Sequence, residues 1–384
     1  MDLLLQEQID AVDTQILLPL VRQVLRQESA VLNQWTKTPI HSSGTFGIVT
    51  RFRGEATVTG EPQLWSLILK VVHNASDAPL DRSNPSNSRY WQREPLVYQS
   101  DLLTDLPDGF AAPCCYAIQQ QESAALWLWQ EDIVENPAGK WSAERFALAA
   151  RHFGQFNALF LTERPVPTHE WLGHNLLRAV AKEAEASLLR LPELQTHPLV
   201  GRIFPPDIVA ANQQLWQERE HFFAVAEQLP QTICHRDANR RNLLSRIGSA
   251  GQVQTVALDW EDVAVAAVGE ELAALTILAP ALREIPLHDA EEFDRLVFAQ
   301  YMAGLADVGW HGDATTVRLG YTTACLRYGL ALPAMFIDLA LDESRHAALE
   351  ARDGQTVAEF ADHWAEVQRF IFRRIEEARR LMAR

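Results

Sequence analysis

A polar loop followed by an apolar strand constrains this chain more than any other feature of its sequence. The loop is His235-Arg-Asp-Ala-Asn-Arg-Arg-Asn242, and seventeen residues after Asn242 an apolar run ends in Asp259. A carboxylate and an amide oxygen at two neighbouring strand ends are the hard ligands that a divalent metal prefers. A third group, Asp237, can accept the proton of an attacking hydroxyl. The spacing therefore predicts a metal-dependent phosphoryl-transfer site.

The hydrophobic pattern changes its period along the chain. Residues 1–33 have apolar positions at helical spacing, which predicts one or two helices. Residues 45–72 alternate as antiparallel strands do, with Gly54 interpreted as a turn residue. Most of the later chain has helical spacing. We therefore expect an α+β fold with a small β-rich N-terminal lobe (1–133) and a large helical C-terminal lobe (134–384).

The stretch HRDANRRNLL, followed by VALDWEDVAVAAVGEEL, resembles the aminoglycoside phosphotransferase and choline kinase-like family. Members of that family typically carry His-Gly-Asp-x-x-x-x-Asn and then Ile-Asp-Trp-Glu. The resemblance implies a bilobal protein-kinase-like fold, with ATP as the phosphoryl donor and Mg²⁺ as the metal. It also implies that Asp237 is the catalytic base and that His235 braces the loop. Asn242 and Asp259 are the implied metal ligands.

Two positions depart from the family pattern. Arg236 stands where glycine is common, and Glu271 stands where an aspartate often precedes leucine. Neither change removes a catalytic group, although the second is expected to affect how the following helix braces the loop. The alternative, that Asp237 and Asn242 only cap turns, does not account for the strand and aspartate that follow them.

Candidate nucleotide-binding residues lie in the N-terminal lobe. Gly44 and Gly47 allow backbone amides to approach phosphates, although hairpin glycines can serve geometry alone. Lys70, one of only four lysines, lies in an apolar strand, where an unpaired ammonium is costly. We predict that it binds phosphate, the alternative being a lysine that reaches solvent. Glu94 on the next helix is its expected partner, or else a generic surface glutamate.

The strand that ends at Trp129 precedes a segment similar to the lobe linker of the family. That similarity implies that adenine binds the Glu131 carbonyl and the Ile133 amide. The acceptor is expected to be a small molecule, either an aminoglycoside, an amino alcohol or a sugar-like compound. Acidic and aromatic residues of the helical lobe do not decide among these, because such residues are more often solvated or in the core.

Composition excludes several other classes of protein. A formal net charge of −16 disfavours nucleic acid as a partner, since phosphate binding needs clustered Lys and Arg. The four cysteines lack metal-ligand spacing, which indicates free thiols in a reducing cytoplasm. The N-terminus lacks a signal-peptide pattern, and no uninterrupted apolar run is long enough for a membrane span. We expect a cytoplasmic monomer or homodimer that does not bind membranes.

The leading hypothesis is transfer of the ATP γ-phosphoryl group to a hydroxyl of a small molecule. One alternative is a catalytically silent nucleotide-binding module with the same fold. The other is a protein kinase, which is disfavoured because the sequence has no Asp-Phe-Gly or Ala-Pro-Glu signature.

Overall fold

The chain forms two compact units in its computed structural model. The residues described are 2–40, 47–74, 82–121, 125–136, 138–174 and 176–384. The first unit comprises Met1–Ala138 and Leu244–Asp262, and the second comprises Gly139–Leu243 and Val263–Arg384. A segment from late in the sequence therefore completes the first unit.

Strands dominate the first unit and helices the second. The helices are α1 (Asp2–Asp10), α2 (Thr14–Leu25), α3 (Arg93–Gln99), α4 (Ala143–Thr162), α5 (Leu176–Leu194), α6 (Pro198–Ile203), α7 (Pro206–Gln228), α8 (Leu272–Ala281), α9 (Ala290–Asp307), α10 (Ala314–Ala324), α11 (Leu326–Leu341), α12 (His346–Asp353) and α13 (Val357–Met382). The strands are β1 (Val31–Ile40), β2 (Gly47–Val58), β3 (Glu61–His73), β4 (Phe110–Ala111), β5 (Cys115–Gln120), β6 (Ala125–Glu131), β7 (Gln231–Cys234), β8 (Leu243–Ile247), β9 (Val253–Ala257) and β10 (Ala264–Ala267).

The core of the first unit lies between a five-stranded sheet and the two N-terminal helices. The sheet has the order β1-β2-β3-β6-β5, and each neighbouring pair is antiparallel. Alternate residues of β3, among them Leu69 and Val71, are fully buried in a cluster that includes Leu17 and Val21 of α2. Because side chains alternate across a strand, Lys70 lies on the opposite face of this sheet.

Two predictions for the N-terminal region were wrong. Residues 31–33 belong to β1 rather than to a helix, because Arg26 adopts a left-handed conformation (φ 53°) that ends α2. Gly54 is not a turn residue but lies inside β2. A Cβ atom there would lie 2.2 Å from the carbonyl oxygen of Gln34, so only glycine permits this approach of β1.

The second unit is built around the close packing of α4 and α9. Ser142 caps α4, its hydroxyl accepting the N–H of Arg145. A Cβ atom on Gly304 of α9 would lie 1.9 Å from the carbonyl oxygen of Arg151, so glycine sets the distance between the helices. Helix α4 contacts β7, which is antiparallel to β10. The functional loop begins directly after β7.

One helical stretch of the described residues, 314–341, is long and apolar enough to cross a membrane by length and composition. The sequence predicted no span there, because Arg318, Arg327 and Asp338 interrupt the apolar run. Of the 18-residue apolar part of this stretch, 56% is buried inside the protein. Tyr321 and Leu330 are fully buried. This degree of burial is typical of a core helix.

Candidate active site

Lys70 of the first unit is held between carboxylates. Its Nζ atom lies 2.5 Å from Oε2 of Glu94 and 2.7 Å from Oδ1 of Asp259, and the Glu94 side chain is only 2% exposed. Burial by itself would lower the pKa of Lys70. The charges of Asp259, Glu94 and Glu261 outweigh that effect and raise the pKa above its ordinary value. The ammonium group is therefore charged at neutral pH.

Arg93 fixes the beginning of α3 and so the position of Glu94. Arg93 is 1% exposed and donates to the carbonyl oxygens of Asn87, Ser88 and Glu261. The bond to Glu261 joins α3 to the segment that follows β9. Burial raises the pKa of Glu94, and the charge of Lys70 opposes that rise.

The backbone of Asp259 adopts the left-handed conformation, with φ at +61°. For a residue with a side chain this costs roughly 1–2 kcal/mol. The next residue, Trp260, is fully buried, donates to the Ala257 carbonyl oxygen and packs edge-on against Phe110. Burial and the neighbouring Asp259 raise the pKa of Glu261 to about 8. Glu261, which follows Trp260, was not predicted from the sequence to belong to this cluster.

Of the two candidate phosphate-binding glycines, Gly44 lies outside the described residues. Gly47 begins β2 and pairs with Val72. A Cβ atom on Gly47 would lie 3.1 Å from the Val71 carbonyl oxygen and 3.9 Å from the Lys70 side chain. Glycine at this position therefore leaves space beside Lys70.

The two candidate adenine-binding positions lie at the end of β6. Glu131 is the last residue of that strand, and Ile133 is half-buried in the segment that follows. The Glu131 carboxylate accepts the backbone N–H of Cys114 at 3.1 Å and pairs with Arg246 at 3.1 Å. These contacts of the Glu131 side chain anchor the end of β6.

The catalytic-loop candidates belong to the second unit. The Asp237 carboxylate accepts the side-chain amides of Asn239 at 3.0 Å and Asn242 at 2.6 Å. Its backbone N–H donates to Nδ1 of His235, which is fully buried. The side-chain nitrogen of Asn242 donates to Asp237. The side-chain carbonyl oxygen of Asn242 is therefore the atom that is available to bind a metal.

Glu271 braces the backbone of this loop. It is 1% exposed, and its two carboxylate oxygens accept the N–H groups of His235 at 2.6 Å and Arg236 at 3.0 Å. Burial raises its pKa to about 7, with the two N–H donors limiting the rise. The longer glutamate side chain thus reaches both backbone groups from the position immediately before α8.

The conformation of Arg236 explains why glycine suits this position. Its φ is +69°, in the left-handed region where glycine is unstrained. The arginine side chain is only 4% exposed, and its Nε lies 3.3 Å from Oε1 of Glu270. The guanidinium of Arg327 also donates to the Arg236 carbonyl oxygen at 2.8 Å. These contacts offset the backbone strain.

A buried polar network behind the loop was missed by the sequence analysis. The Asn157 amide donates to the Ile233 carbonyl oxygen at 2.7 Å and accepts from the Tyr301 hydroxyl at 2.6 Å. That hydroxyl in turn accepts the Gly269 N–H. The only available signal was an asparagine in the apolar segment that became α4, and such a residue has no distinctive spacing.

Comparison with known proteins shows a family similarity for part of the chain, and it shows the fold. Residues 142–313 match the model of the phosphotransferase enzyme family. No curated protein sequence matches the chain. A choline kinase structure from Cryptosporidium parvum is similar with a TM-score of 0.50 at 10% identity, covering 96% of each chain.

Two further structures align along most of the chain. Amicoumacin kinase in complex with AMP-PNP, Ca²⁺ and Ami has a TM-score of 0.48 at 17% identity, over 92% of this chain and 96% of that one. An aminoglycoside phosphotransferase from Alicyclobacillus acidocaldarius has a TM-score of 0.47 at 15% identity, over 91% and 96%.

The matched family segment contains the loop from His235 to Asn242 and Glu271, and the choline kinase likeness extends the kinase-like fold to both units. The family resemblance and the fold class predicted from the sequence are confirmed. Residues 142–313 are thus similar to the phosphotransferase enzyme family, and the chain has a protein-kinase-like fold.

Proposed function

We propose that the protein transfers the γ-phosphoryl group of ATP to a hydroxyl group of a small molecule. The observation that carries this proposal is the Asp237 carboxylate, which Asn239 and Asn242 hold within a loop braced by Glu271. A carboxylate oriented by neutral amide donors can accept a proton at neutral pH without losing its position.

In the proposed reaction the acceptor hydroxyl oxygen forms a bond to the γ-phosphorus. The bond from that phosphorus to the bridging oxygen breaks, and ADP leaves with the electron pair. The hydroxyl proton passes to the Asp237 carboxylate, and His235 keeps that loop in place. Holding the reactants in line supplies much of the rate enhancement.

Mg²⁺ is the proposed metal, with Asn242 and Asp259 as its protein ligands. The donor set fits, since both offer hard oxygen atoms and Mg²⁺ binds one or two carboxylates together with substrate phosphates. When bound, Mg²⁺ supplies neutralisation of phosphate charge. The described residues contain no group of three or more His, Cys, Asp or Glu that could hold a metal ion. The proposed Mg²⁺ site accordingly has few protein ligands.

The N-terminal lobe, residues 1–133, is the proposed nucleotide-binding part. The charged Lys70, which forms an ion pair with Glu94, would pair with phosphate oxygens. Gly44 and Gly47 would bring backbone amides to the phosphates. The carbonyl of Glu131 and the amide of Ile133 would bind adenine.

The C-terminal lobe, residues 134–384, is proposed to hold the acceptor. An aminoglycoside, an amino alcohol or a sugar-like molecule has the required hydroxyl group. The enzyme is proposed to act in the cytoplasm as a monomer or homodimer, without nucleic acid or membrane as partner.

Measuring ATP turnover with Mg²⁺ over a panel of aminoglycosides, amino alcohols and sugars tests the proposal. We expect at least one acceptor to raise ADP release well above the acceptor-free rate, with one phosphate found on the acceptor by mass spectrometry. Nucleotide binding without turnover on any acceptor would favour the silent module. Phosphate found only on added protein substrates would favour a protein kinase.

A further inference from the structure

The loop that carries Asp237 needs contacts outside itself to keep its place in the second unit. Within the loop, the Asp237 carboxylate is bonded by the side-chain amides of Asn239 and Asn242, which lie two and five residues further along the chain. Such short-range bonds set the shape of the loop but not its position. Hydrogen bonds that reach the loop from distant parts of the chain include those of Glu271 and Arg327.

Arg327 bonds the peptide group that leads directly into Asp237. Its guanidinium donates to the carbonyl oxygen of Arg236 at 2.8 Å. That carbonyl and the N–H of Asp237 belong to one planar peptide group, and the N–H donates to Nδ1 of His235 at 3.2 Å. The peptide group is therefore held at both of its polar ends. Because the Cα atom of Asp237 lies in the same plane, these bonds fix the point from which its side chain starts.

The left-handed conformation of Arg236 makes such a restraint necessary. Its φ is +69°, where a residue with a side chain is strained. The strain would be relieved if either adjoining peptide group turned. Glu271 holds the peptide group before Arg236 through its N–H, and Arg327 holds the one after it through its carbonyl oxygen. The two contacts together keep both peptide groups in place.

Arg327 extends from a firmly packed part of the second unit. It is half-buried and is the second residue of α11. Leu326 before it and Leu330 one turn later are both fully buried, which fixes the beginning of the helix. A guanidinium is always charged in proteins, and a charged donor forms a stronger hydrogen bond than a neutral one. Helix α11 is therefore a fixed point from which a strong bond reaches the loop.

We propose that Arg327 is a positioning residue for phosphoryl transfer, which holds the Arg236 carbonyl oxygen so that the Asp237 carboxylate meets the acceptor hydroxyl. The inference rests on the proposed function, because that function makes Asp237 the base. A displacement of about 1 Å can lower a rate on the order of 10²-fold. Loss of this bond should therefore slow turnover and leave nucleotide binding unchanged.

Arg327→Met tests this, because it keeps the apolar stem of the side chain and removes its donors. Arg219→Met is the matched control, since Arg219 is also a half-buried arginine of the second unit and donates to the Trp216 carbonyl in its own helix. On a responsive acceptor, the kcat of Arg327→Met should fall by at least about tenfold, with a KM for ATP within about twofold of the wild type. Arg219→Met should keep the wild-type kcat.

Adding Arg327→Met to Asp237→Asn separates positioning from a general loss of folded protein. A residue that acts through the Asp237 carboxylate has nothing to position once that carboxylate is gone. The double variant should therefore turn over as slowly as Asp237→Asn alone. Partial unfolding would instead lower the rate of the double variant by the same factor as in Arg327→Met, and that result would overturn the proposal.

Amide hydrogen exchange tests the contact without any acceptor. Mass spectrometry on peptides that span residues 231–242 follows the N–H groups of Arg236 and Asp237, which are bonded to Glu271 and His235. They should exchange at least about tenfold faster in Arg327→Met than in the wild type or in Arg219→Met, because the loop opens more often.

Unchanged exchange in Arg327→Met would overturn the proposal, and so would a wild-type kcat. If Asp237→Asn is slow while Arg327→Met is not, the positioning role alone is wrong. If Asp237→Asn turns over like the wild type, the proposed function itself is wrong.

Discussion

The side-chain amide of Asn242 donates a 2.6 Å hydrogen bond to the carboxylate of Asp237. The two side chains that this bond joins have different proposed roles. Asp237 offers a carboxylate oxygen for a proton, and Asn242 offers its carbonyl oxygen as a neutral, hard ligand. The same bond fixes the orientation of both groups.

Asn242→Ala should therefore raise the Mg²⁺ concentration needed for half-maximal activity by about tenfold or more, because a proposed metal ligand is lost. A Mg²⁺ titration at fixed ATP measures this. Asn239→Ala is the matched control, since Asn239 also donates to Asp237 but is not a proposed ligand. An equal increase in both variants would mean that only the orientation of Asp237 matters.

Glu94→Gln should raise the KM for ATP by about tenfold, since the amide keeps the shape of the side chain but no longer fixes the Lys70 ammonium by charge. Initial rates over a range of ATP concentrations check this. Glu61→Gln, at the exposed start of β3, is the control and should behave as the wild type. A wild-type KM in Glu94→Gln would contradict the proposed role of the pair.

The pKa of Glu271, about 7 in the folded protein against an ordinary 4.5, predicts a pH-dependent stability. Between these values the folded protein binds a proton that the unfolded chain does not bind. The free energy of unfolding should therefore fall as pH rises from about 4.5 to 7, by at most about 1.4 kcal/mol per pH unit, and then level off.

Glu271→Gln removes this titration and serves as the reference. Urea unfolding of both proteins at several pH values gives the difference in their free energies of unfolding. That difference should decrease with rising pH below 7 and stay constant above it. A difference that is constant from pH 5 to 8 would mean that Glu271 is ionised throughout.

Arg236→Gly should destabilise the protein although it relieves a left-handed residue. Replacing a left-handed arginine by glycine should stabilise the folded protein by roughly 1 kcal/mol. Removing the buried guanidinium leaves Glu270 without its ion pair, which costs roughly 3 kcal/mol or more. We expect a net loss of about 2 kcal/mol in urea unfolding. Adding Glu270→Gln should restore most of that loss, and a double variant as unstable as the single one would contradict this explanation.

The sequence was sufficient to predict the parts of the fold that short-range patterns determine. The alternation of β3 and the order of loop and strand around Asp259 both depend on nearby residues. Strand β1 was missed because its residues are mostly exposed and have no alternating pattern. Its place depends on pairing with β2, the next strand along the chain.

The same distinction applies to the candidate site. Lys70 and Glu94 could be proposed as a pair because a lysine in an apolar strand needs a partner. An effect of Glu271 on the bracing of the loop was expected, but the backbone groups that it binds and the network around Asn157 could not be predicted, since each contact joins residues that lie far apart in sequence. The strain at Arg236 was also not apparent, because a left-handed φ leaves no mark on a non-glycine residue.

The turnover number of Asp237→Asn on a responsive acceptor tests the central claim most directly. The amide keeps the size of the side chain but cannot accept the hydroxyl proton. We expect kcat to fall by about 10²–10⁴-fold while the KM for ATP and the melting temperature stay close to those of the wild type. Wild-type turnover in this variant would contradict the assignment of Asp237 as the catalytic base.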